Sequence, residues 1–200
     1  MEGLTGVLGG TFDPPHYGHL ALAESAQTAL ELERVLWVVT ASPPHKPGVQ
    51  HTSVELRVEM VEAAIEGIDT FVVSRADIDR PPPHYAVDTL RWLAARQPGA
   101  RFAYLIGSDS LRDLPTWHAP AEFLAACEVL GVLRRPGVLV DLNGLESQIP
   151  GLQRKVRIID APHLPVSGAD IRRRVREGAP YELLLPGGVA AIIQRERLYR

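Results

Sequence analysis

The 200-residue sequence contains one cysteine, and this scarcity excludes a disulfide within the chain. The cysteine, Cys127, lies in an apolar stretch at 123–130, where a thiol is usually buried and inert. A chain without structural disulfides suits a reducing compartment, so we expect a cytoplasmic protein.

Long hydrophobic runs and an excess of basic residues are also missing. No apolar run approaches the roughly 18 residues of a membrane span, and the first residues do not resemble a signal peptide. The formal net charge of -3 argues against a general nucleic-acid binder. We expect neither a membrane nor a nucleic-acid partner, although four arginines crowd together at Arg172, Arg173, Arg174 and Arg176.

Short apolar runs alternate with longer amphipathic segments along the chain. Strands are predicted at 4–10, 34–41, 70–74, 101–107, 128–134 and 156–161. Helices are predicted at 16–31, 54–66, 86–96, 120–126, 168–177 and 184–199. Strands that are apolar on both faces and alternate with helices indicate an α/β fold, a doubly wound Rossmann-like parallel sheet. We expect one domain over 1–200, with a small C-terminal helical appendage, a possible subdomain, at 162–200.

The stretch GGTFDPPHYGHL follows the first predicted strand. Gly9 and Gly10 have no side chains, so a ligand or a backbone segment can come close. His16 and His19 fall on one face of the first turn of the next helix, and Gly18 keeps the space between them open. Helix N-termini attract anions, and doubly wound sheets bind ligands at their carboxyl edge. The stretch therefore predicts a phosphate site.

Other interpretations of this stretch are weaker. It has neither the Gly-Lys-Ser/Thr ending of a Walker A loop nor the GxGxxG pattern of a dinucleotide-binding Rossmann domain. A zinc site would need more ligands, and only Asp13 lies nearby in the sequence. A glycine turn carrying two surface histidines is the remaining alternative.

Five blocks together resemble the bacterial nicotinate-nucleotide adenylyltransferases, a family of the HxGH nucleotidyltransferase superfamily. The blocks occur in that family's order and are GGTFDPPHYGHL, SPPHK at 42–46, RPPPHYAVDTL at 80–90, LIGSDSLRDLPTW at 105–117 and SGADIR at 167–172. The first block alone is typical of the superfamily, whereas the whole set is specific for the family.

The resemblance implies transfer of the adenylyl group of ATP to nicotinate mononucleotide, giving deamido-NAD and pyrophosphate in NAD biosynthesis. It implies in-line attack without a covalent enzyme intermediate. His16 and His19 would contact the ATP phosphates, Lys46 would add positive charge, and Arg172 would hold the triphosphate with help from Ser167. Mg²⁺ is expected with ATP, bound mainly through the phosphates, and no metal-binding residue is implied.

The resemblance also implies contacts with the rest of both substrates. Trp117 would stack on the pyridine ring, Asp109 would accept hydrogen bonds from a ribose, and Arg134 would face the adenosine or its phosphates. The further substrate-binding residues implied are Gly9, Gly10, Thr11, Phe12, Gly18, His45, Tyr85, Thr89 and Gly107.

Three positions depart from the family pattern. His84 and Ala86 stand where the family usually has Ser and Thr, and Ala169 stands at another usual Thr. The preference for the acid or the amide mononucleotide therefore stays open, as do the oligomeric state and the kinetic order. Alternative functions are the same chemistry on nicotinamide mononucleotide or pantetheine phosphate, a cytidylyl transfer, and a non-catalytic nucleotide-binding regulator.

Overall fold

The computed structural model describes residues 3–41, 51–134, 137–162 and 164–200, and their strands form one parallel sheet. The strands are β1 (Leu4–Gly10), β2 (Leu32–Val39), β3 (Phe71–Ser74), β4 (Arg101–Gly107), β5 (Val129–Leu133) and β6 (Val156–Ile159). Their order is β3-β2-β1-β4-β5-β6, and each neighbouring pair is parallel. The predicted doubly wound α/β architecture is confirmed.

Helices cover both faces of this sheet. They are α1 (Tyr17–Ala29), α2 (Val54–Ile65), α3 (Ala86–Arg96), α4 (Ser108–Arg112), α5 (Pro120–Ala126), α6 (Leu142–Gln148), α7 (Leu152–Lys155), α8 (Gly168–Glu177) and α9 (Gly187–Arg195). Successive residues of a strand point to opposite faces, so Trp37 joins one buried cluster and Val38 the other. Burial on both faces explains why apolar residues predominate in β1, β2, β4 and β5.

Some element boundaries differ from the prediction. The second strand lies at 32–39 rather than 34–41. Its first residues are paired with β1, but the exposed Glu33 and Arg34 interrupt the apolar pattern by which the sequence indicates a strand. The last helix covers 187–195 rather than 184–199, and a 3₁₀ turn at Glu182–Leu184 precedes it. Helices α4, α6 and α7 were not predicted, because they are too short to establish a helical period.

The chain reverses its direction of travel across the sheet at β1. From β1 it moves to β2 and β3, and it then returns to place β4 on the other side of β1. The loops that follow β1 and β4 therefore separate at the carboxyl edge and leave a crevice, the usual ligand site of such sheets. Gly10 ends β1 and Gly107 ends β4, so two of the sequence blocks meet at this crevice.

The C-terminal segment contributes to the same core as the sheet. Ile193 of α9 shares a buried cluster with Met60 of α2, and the division of the chain into domains stays a prediction.

Cys127 is buried, and burial raises the pKa of its thiol to about 12, so the thiol is unreactive. Among the helices of the described ranges, none has the length and apolar character that crossing a bilayer requires.

Candidate functional site

The first and last sequence blocks meet in one cleft of about 450 Å³, here called the histidine cleft. Arg172 of α8 reaches back to the loop after β1, where its Nη1 donates a hydrogen bond to the backbone carbonyl of Asp13 at 2.6 Å. The fold therefore brings the predicted His16, His19, Ser167 and Arg172 together. The described lining residues are Thr11, Phe12, Asp13, Pro14, His16, His19, His51, Ser167, Gly168, Ala169 and Arg172.

The two histidine rings stack on one another, with their centroids 3.8 Å apart. The predicted helix started at His16, but His16 is the extended N-cap and α1 begins one residue later. Nδ1 of His19 accepts a hydrogen bond from the backbone N–H of His16 at 3.2 Å. In a neutral ring this leaves the proton of His19 on Nε2, which makes that atom a donor suited to a phosphate oxygen.

Three glycines make room for rings of the protein itself. A Cβ on Gly9 would lie 2.7 Å from Oη of Tyr104, and a Cβ on Gly10 would lie 2.9 Å from the ring of Phe12. A Cβ on Gly18 would lie 3.0 Å from Nδ1 of His16. The sequence interpretation, that small residues leave space for a ligand, is therefore incomplete, because these positions also fix the aromatic packing around the cleft.

Phe12 adopts a left-handed backbone conformation with φ 49°, which costs a bulky residue about 1–3 kcal/mol. Its ring is buried and lies edge-on to His19, with centroids 5.1 Å apart, and also packs on Trp37. Packing in this core compensates for the strain and fixes the position of the His19 ring.

Asp13 connects the cleft to distant parts of the chain. Its carboxylate accepts hydrogen bonds from Oη of Tyr199 at 2.6 Å and from the backbone N–H of Thr52 at 3.2 Å. Nδ1 of His51 lies 3.2 Å from the same carboxylate. Burial alone would raise the pKa of Asp13, but these hydrogen bonds outweigh it and lower the pKa below its usual value. No signal in the sequence links Tyr199 to residue 13.

Replacing Tyr199 with Phe should lower the free energy of unfolding by about 1.5–3 kcal/mol at neutral pH, because a charged carboxylate loses a hydrogen bond. The pKa of Asp13 is lowered in the folded state, so the stability it contributes is present above its unfolded value of 3.8. The difference between variant and wild type should therefore shrink as the pH falls below 3.8.

Urea unfolding at several pH values measures this effect. Tyr181→Phe is the matched control, since its ring is also half-buried near the C-terminus but does not contact Asp13. A Tyr199→Phe difference that does not change with pH would contradict the assignment to the carboxylate.

Arg57 is a buried arginine that sequence reasoning missed. Its guanidinium donates to the backbone carbonyls of Thr52, Thr11, Thr40 and Ala41, at distances between 2.8 and 3.1 Å. Burial lowers the pKa of Arg57, although a guanidinium remains charged at any physiological pH. The arginine holds together the loops that follow β1 and β2, and so fixes the floor of the site.

Helix α8 contributes its N-terminus and one arginine to the histidine cleft. Ser167 is the N-cap and accepts a hydrogen bond from the backbone N–H of Asp170 at 3.2 Å. Ala169 lines the cleft without a hydroxyl to offer. Arg173 and Arg174 pair with Asp170 on their own helix.

A second cleft of about 280 Å³, here called the aromatic cleft, adjoins the first, and Thr11 lines both. Trp117 is half-buried there, and its ring packs against Tyr104 and Phe123. Tyr85 stacks on the exposed His118, with centroids 4.1 Å apart. The described lining residues are Gly9, Gly10, Thr11, Thr40, Asp77, His84, Tyr85, Ala86, Thr89, Tyr104, Ser110, Trp117 and His118.

Thr89 lies in the aromatic cleft, as predicted, but its hydroxyl is already engaged. It donates to Oδ1 of Asp77 at 2.6 Å and receives a hydrogen bond from Nη2 of Arg80 at 2.9 Å. Arg80 also binds Oδ1 of Asp77 at 2.9 Å, so the buried carboxylate is neutralised by a charge partner. Sequence reasoning did not identify Asp77 or Arg80.

Other predicted residues lie outside the described linings of both clefts. Gly107 is the N-cap of α4, and Asp109 follows in the first turn of that helix. Arg134 is exposed, and its Nε pairs with Asp160 at 3.1 Å rather than entering a cleft. His45 and Lys46 lie outside the residues that the structure describes.

Comparisons with known proteins agree with these features. Residues 7–174 match the cytidylyltransferase-like family model. A protein of Thermomicrobium roseum is 41% identical over 195 residues, which cover 98% of this chain and 91% of the relative. A protein of Roseiflexus castenholzii is 42% identical over 200 residues, which cover 100% of this chain and 99% of the relative. Both relatives are named probable nicotinate-nucleotide adenylyltransferase.

A solved structure shows the same fold. The nicotinic acid mononucleotide adenylyltransferase of Plasmodium falciparum, complexed with NaAD, superposes with a TM-score of 0.79 at 17% identity. The match covers 99% of this chain and 98% of that chain. At this identity the likeness concerns the fold alone. Because the family model and the near full-length relatives agree, the chain belongs to the cytidylyltransferase-like family and, within it, to the nicotinate-nucleotide adenylyltransferases.

Proposed function

We propose that the protein transfers the adenylyl group of ATP to nicotinate mononucleotide, giving deamido-NAD and pyrophosphate in NAD biosynthesis. The observation that carries this proposal is the junction of two clefts at Thr11. One cleft presents imidazoles and a guanidinium, which suit a triphosphate, and the other presents aromatic rings, which suit a pyridine. We also propose a cytoplasmic location, because a reducing compartment suits a chain with one cysteine.

The reaction needs no covalent intermediate on the protein. An oxygen of the acceptor's 5′-phosphate forms a bond to the α-phosphorus of ATP, and the bond from that phosphorus to the bridging oxygen breaks as pyrophosphate leaves. The protein contributes by positioning the reactants and stabilising charge. His19 would donate from Nε2 to a phosphate oxygen, and His16 and Arg172 would share the charge that builds up during transfer.

ATP would enter as its magnesium complex. Asp13 is the carboxylate among the described residues of the histidine cleft, and hydrogen bonds engage both of its oxygens. The cleft therefore suits an ion held by phosphate oxygens and water rather than by a cage of side chains.

Incubation with ATP, Mg²⁺ and nicotinate mononucleotide should release pyrophosphate together with a product of the mass of deamido-NAD. Parallel reactions with pantetheine phosphate as acceptor, and with CTP as donor, test the alternative chemistries. Turnover of pantetheine phosphate without turnover of a pyridine mononucleotide would overturn the proposal. Binding of ATP without any pyrophosphate release would instead favour a regulatory protein.

A further inference from the structure

Tyr199 lies after α9 and joins that segment to the histidine cleft. Its ring is half-buried against the core cluster that contains Met60, and its hydroxyl donates to Oδ1 of Asp13 at 2.6 Å. Burial and the Asp13 carboxylate raise the pKa of this hydroxyl, so it remains a donor throughout the physiological pH range. The adenylyl-transfer mechanism above assigns no role to Tyr199, which lies outside the described linings of both clefts.

The backbone of Tyr199 is in an unfavourable conformation. Its φ is 65°, in the left-handed region that bulky side chains rarely adopt. Residues of this kind persist only where the surrounding contacts hold them, and they are frequent at functional sites. Phe12, the residue that precedes Asp13, is also left-handed. The hydrogen bond therefore joins two segments that are both held away from their preferred backbone conformations.

Asp13 carries this contact to the arginine of α8. Its backbone carbonyl accepts a hydrogen bond from Nη1 of Arg172 at 2.6 Å, while its carboxylate receives the one from Tyr199. A Cβ on Gly168 would lie 3.2 Å from the same carbonyl oxygen and 3.3 Å from Nη1 of Arg172. The first turn of α8 is thus packed closely on Asp13, so a displacement of Asp13 also displaces the arginine.

The two carboxylate oxygens of Asp13 have different donors. Oδ1 accepts from Tyr199, whereas the backbone N–H of Thr52 and Nδ1 of His51 lie at Oδ2, each at 3.2 Å. The Tyr199 contact is the shortest of the three, as expected of a hydroxyl that donates to a charged oxygen. The Asp13 side chain is only 4% exposed, so an oxygen that loses its donor is costly in place. Without the hydroxyl, we expect Asp13 to turn toward water and its carbonyl to shift.

We propose that Tyr199 is a positioning residue for adenylyl transfer, and that its hydroxyl fixes Asp13 so that the Asp13 carbonyl aims Arg172 at the phosphates of ATP. The inference rests on the adenylyl transfer proposed above. A guanidinium has several N–H donors, so the hydrogen bond to Asp13 fixes its direction and leaves other donors for phosphate oxygens. Tyr199 acts through Asp13 and Arg172 and does not itself touch a substrate.

A double-mutant cycle on ATP binding tests whether Tyr199 acts through Arg172. Tyr199→Phe removes the hydroxyl alone, and Arg172→Met removes the guanidinium while it keeps much of the side-chain length. Titration calorimetry with ATP and Mg²⁺ is carried out well below the unfolding transition of every variant. We expect Tyr199→Phe to weaken ATP binding by about tenfold in the wild-type background, because a misplaced binding group is costly. In the Arg172→Met background the same substitution should change the dissociation constant by no more than about twofold, since the group that it positions is gone.

Tyr181→Phe is the control, because it removes a hydroxyl that does not contact Asp13, and it should leave ATP binding unchanged in both backgrounds. An equal loss for Tyr199→Phe in both backgrounds would overturn the proposal, because a general loosening of the fold does not depend on Arg172. An unchanged dissociation constant in the wild-type background would overturn it as well. The same cycle on kcat/KM for ATP gives a second reading where binding by Arg172→Met is too weak for calorimetry. ATP binding by the wild type without pyrophosphate release would count against the adenylyl transfer alone, so the two failures are distinguishable.

Discussion

Replacing His19 with Asn should lower kcat by about 10²–10³-fold while the protein remains folded. The Asn side-chain oxygen can occupy the position of Nδ1 and keep the hydrogen bond from the backbone N–H of His16. The substitution removes the Nε2 donor that we assign to the phosphate. The expected loss therefore concerns charge stabilisation in the transition state rather than the start of α1.

His19→Ala is the companion variant, because it loses both the donor and the hydrogen bond to the His16 backbone. Thermal unfolding should place its stability below that of His19→Asn by about 1 kcal/mol, since a helix cap is lost. Tyr17→Ala serves as a control on the exposed side of the same helical turn. Steady-state kinetics that put His19→Asn within about threefold of the wild type would exclude a phosphate-binding role for Nε2.

The sequence predicted the elements that have two buried faces or clear end signals. The bounds of β1, β4, α3, α5 and α8 agree with the prediction. Continuous apolar runs mark strands covered on both faces, and Ser167 and Pro120 are typical starts of helices. The location of the histidine pair also followed from the sequence, because the loop after the first strand of a doubly wound sheet lies at its ligand-binding edge.

Polar contacts between distant segments could not be predicted in this way. The Asp13–Tyr199 hydrogen bond joins residues 186 positions apart, and neither residue is part of a periodic pattern. His84 shows the same limit, since its sequence context predicts an irregular segment but not its burial beside the aromatic cleft. Such contacts depend on how completed elements pack, which one-dimensional periodicity does not encode.

Arg57 connects these distant segments to the stability of the site. Replacing Arg57 with Met should lower the free energy of unfolding by about 3–5 kcal/mol. Four backbone carbonyls would lose their donor inside the protein, and the Asp13 carboxylate would lose a nearby positive charge. Met is similar in length and fills much of the space, so the loss reports the hydrogen bonds and the charge rather than a large cavity.

Arg75→Met is the matched control. This exposed arginine pairs with Glu55, which lies on α2, the helix that also carries Arg57. An exposed pair of this kind contributes little to stability, so denaturant unfolding should separate the two variants clearly. Equal losses for both variants would mean that the buried guanidinium is not what holds the loops. Arg57 lines neither cleft, but its hydrogen bond fixes the Thr11 carbonyl at the junction of the two clefts. The Arg57→Met substitution should therefore also reduce turnover in protein that remains folded.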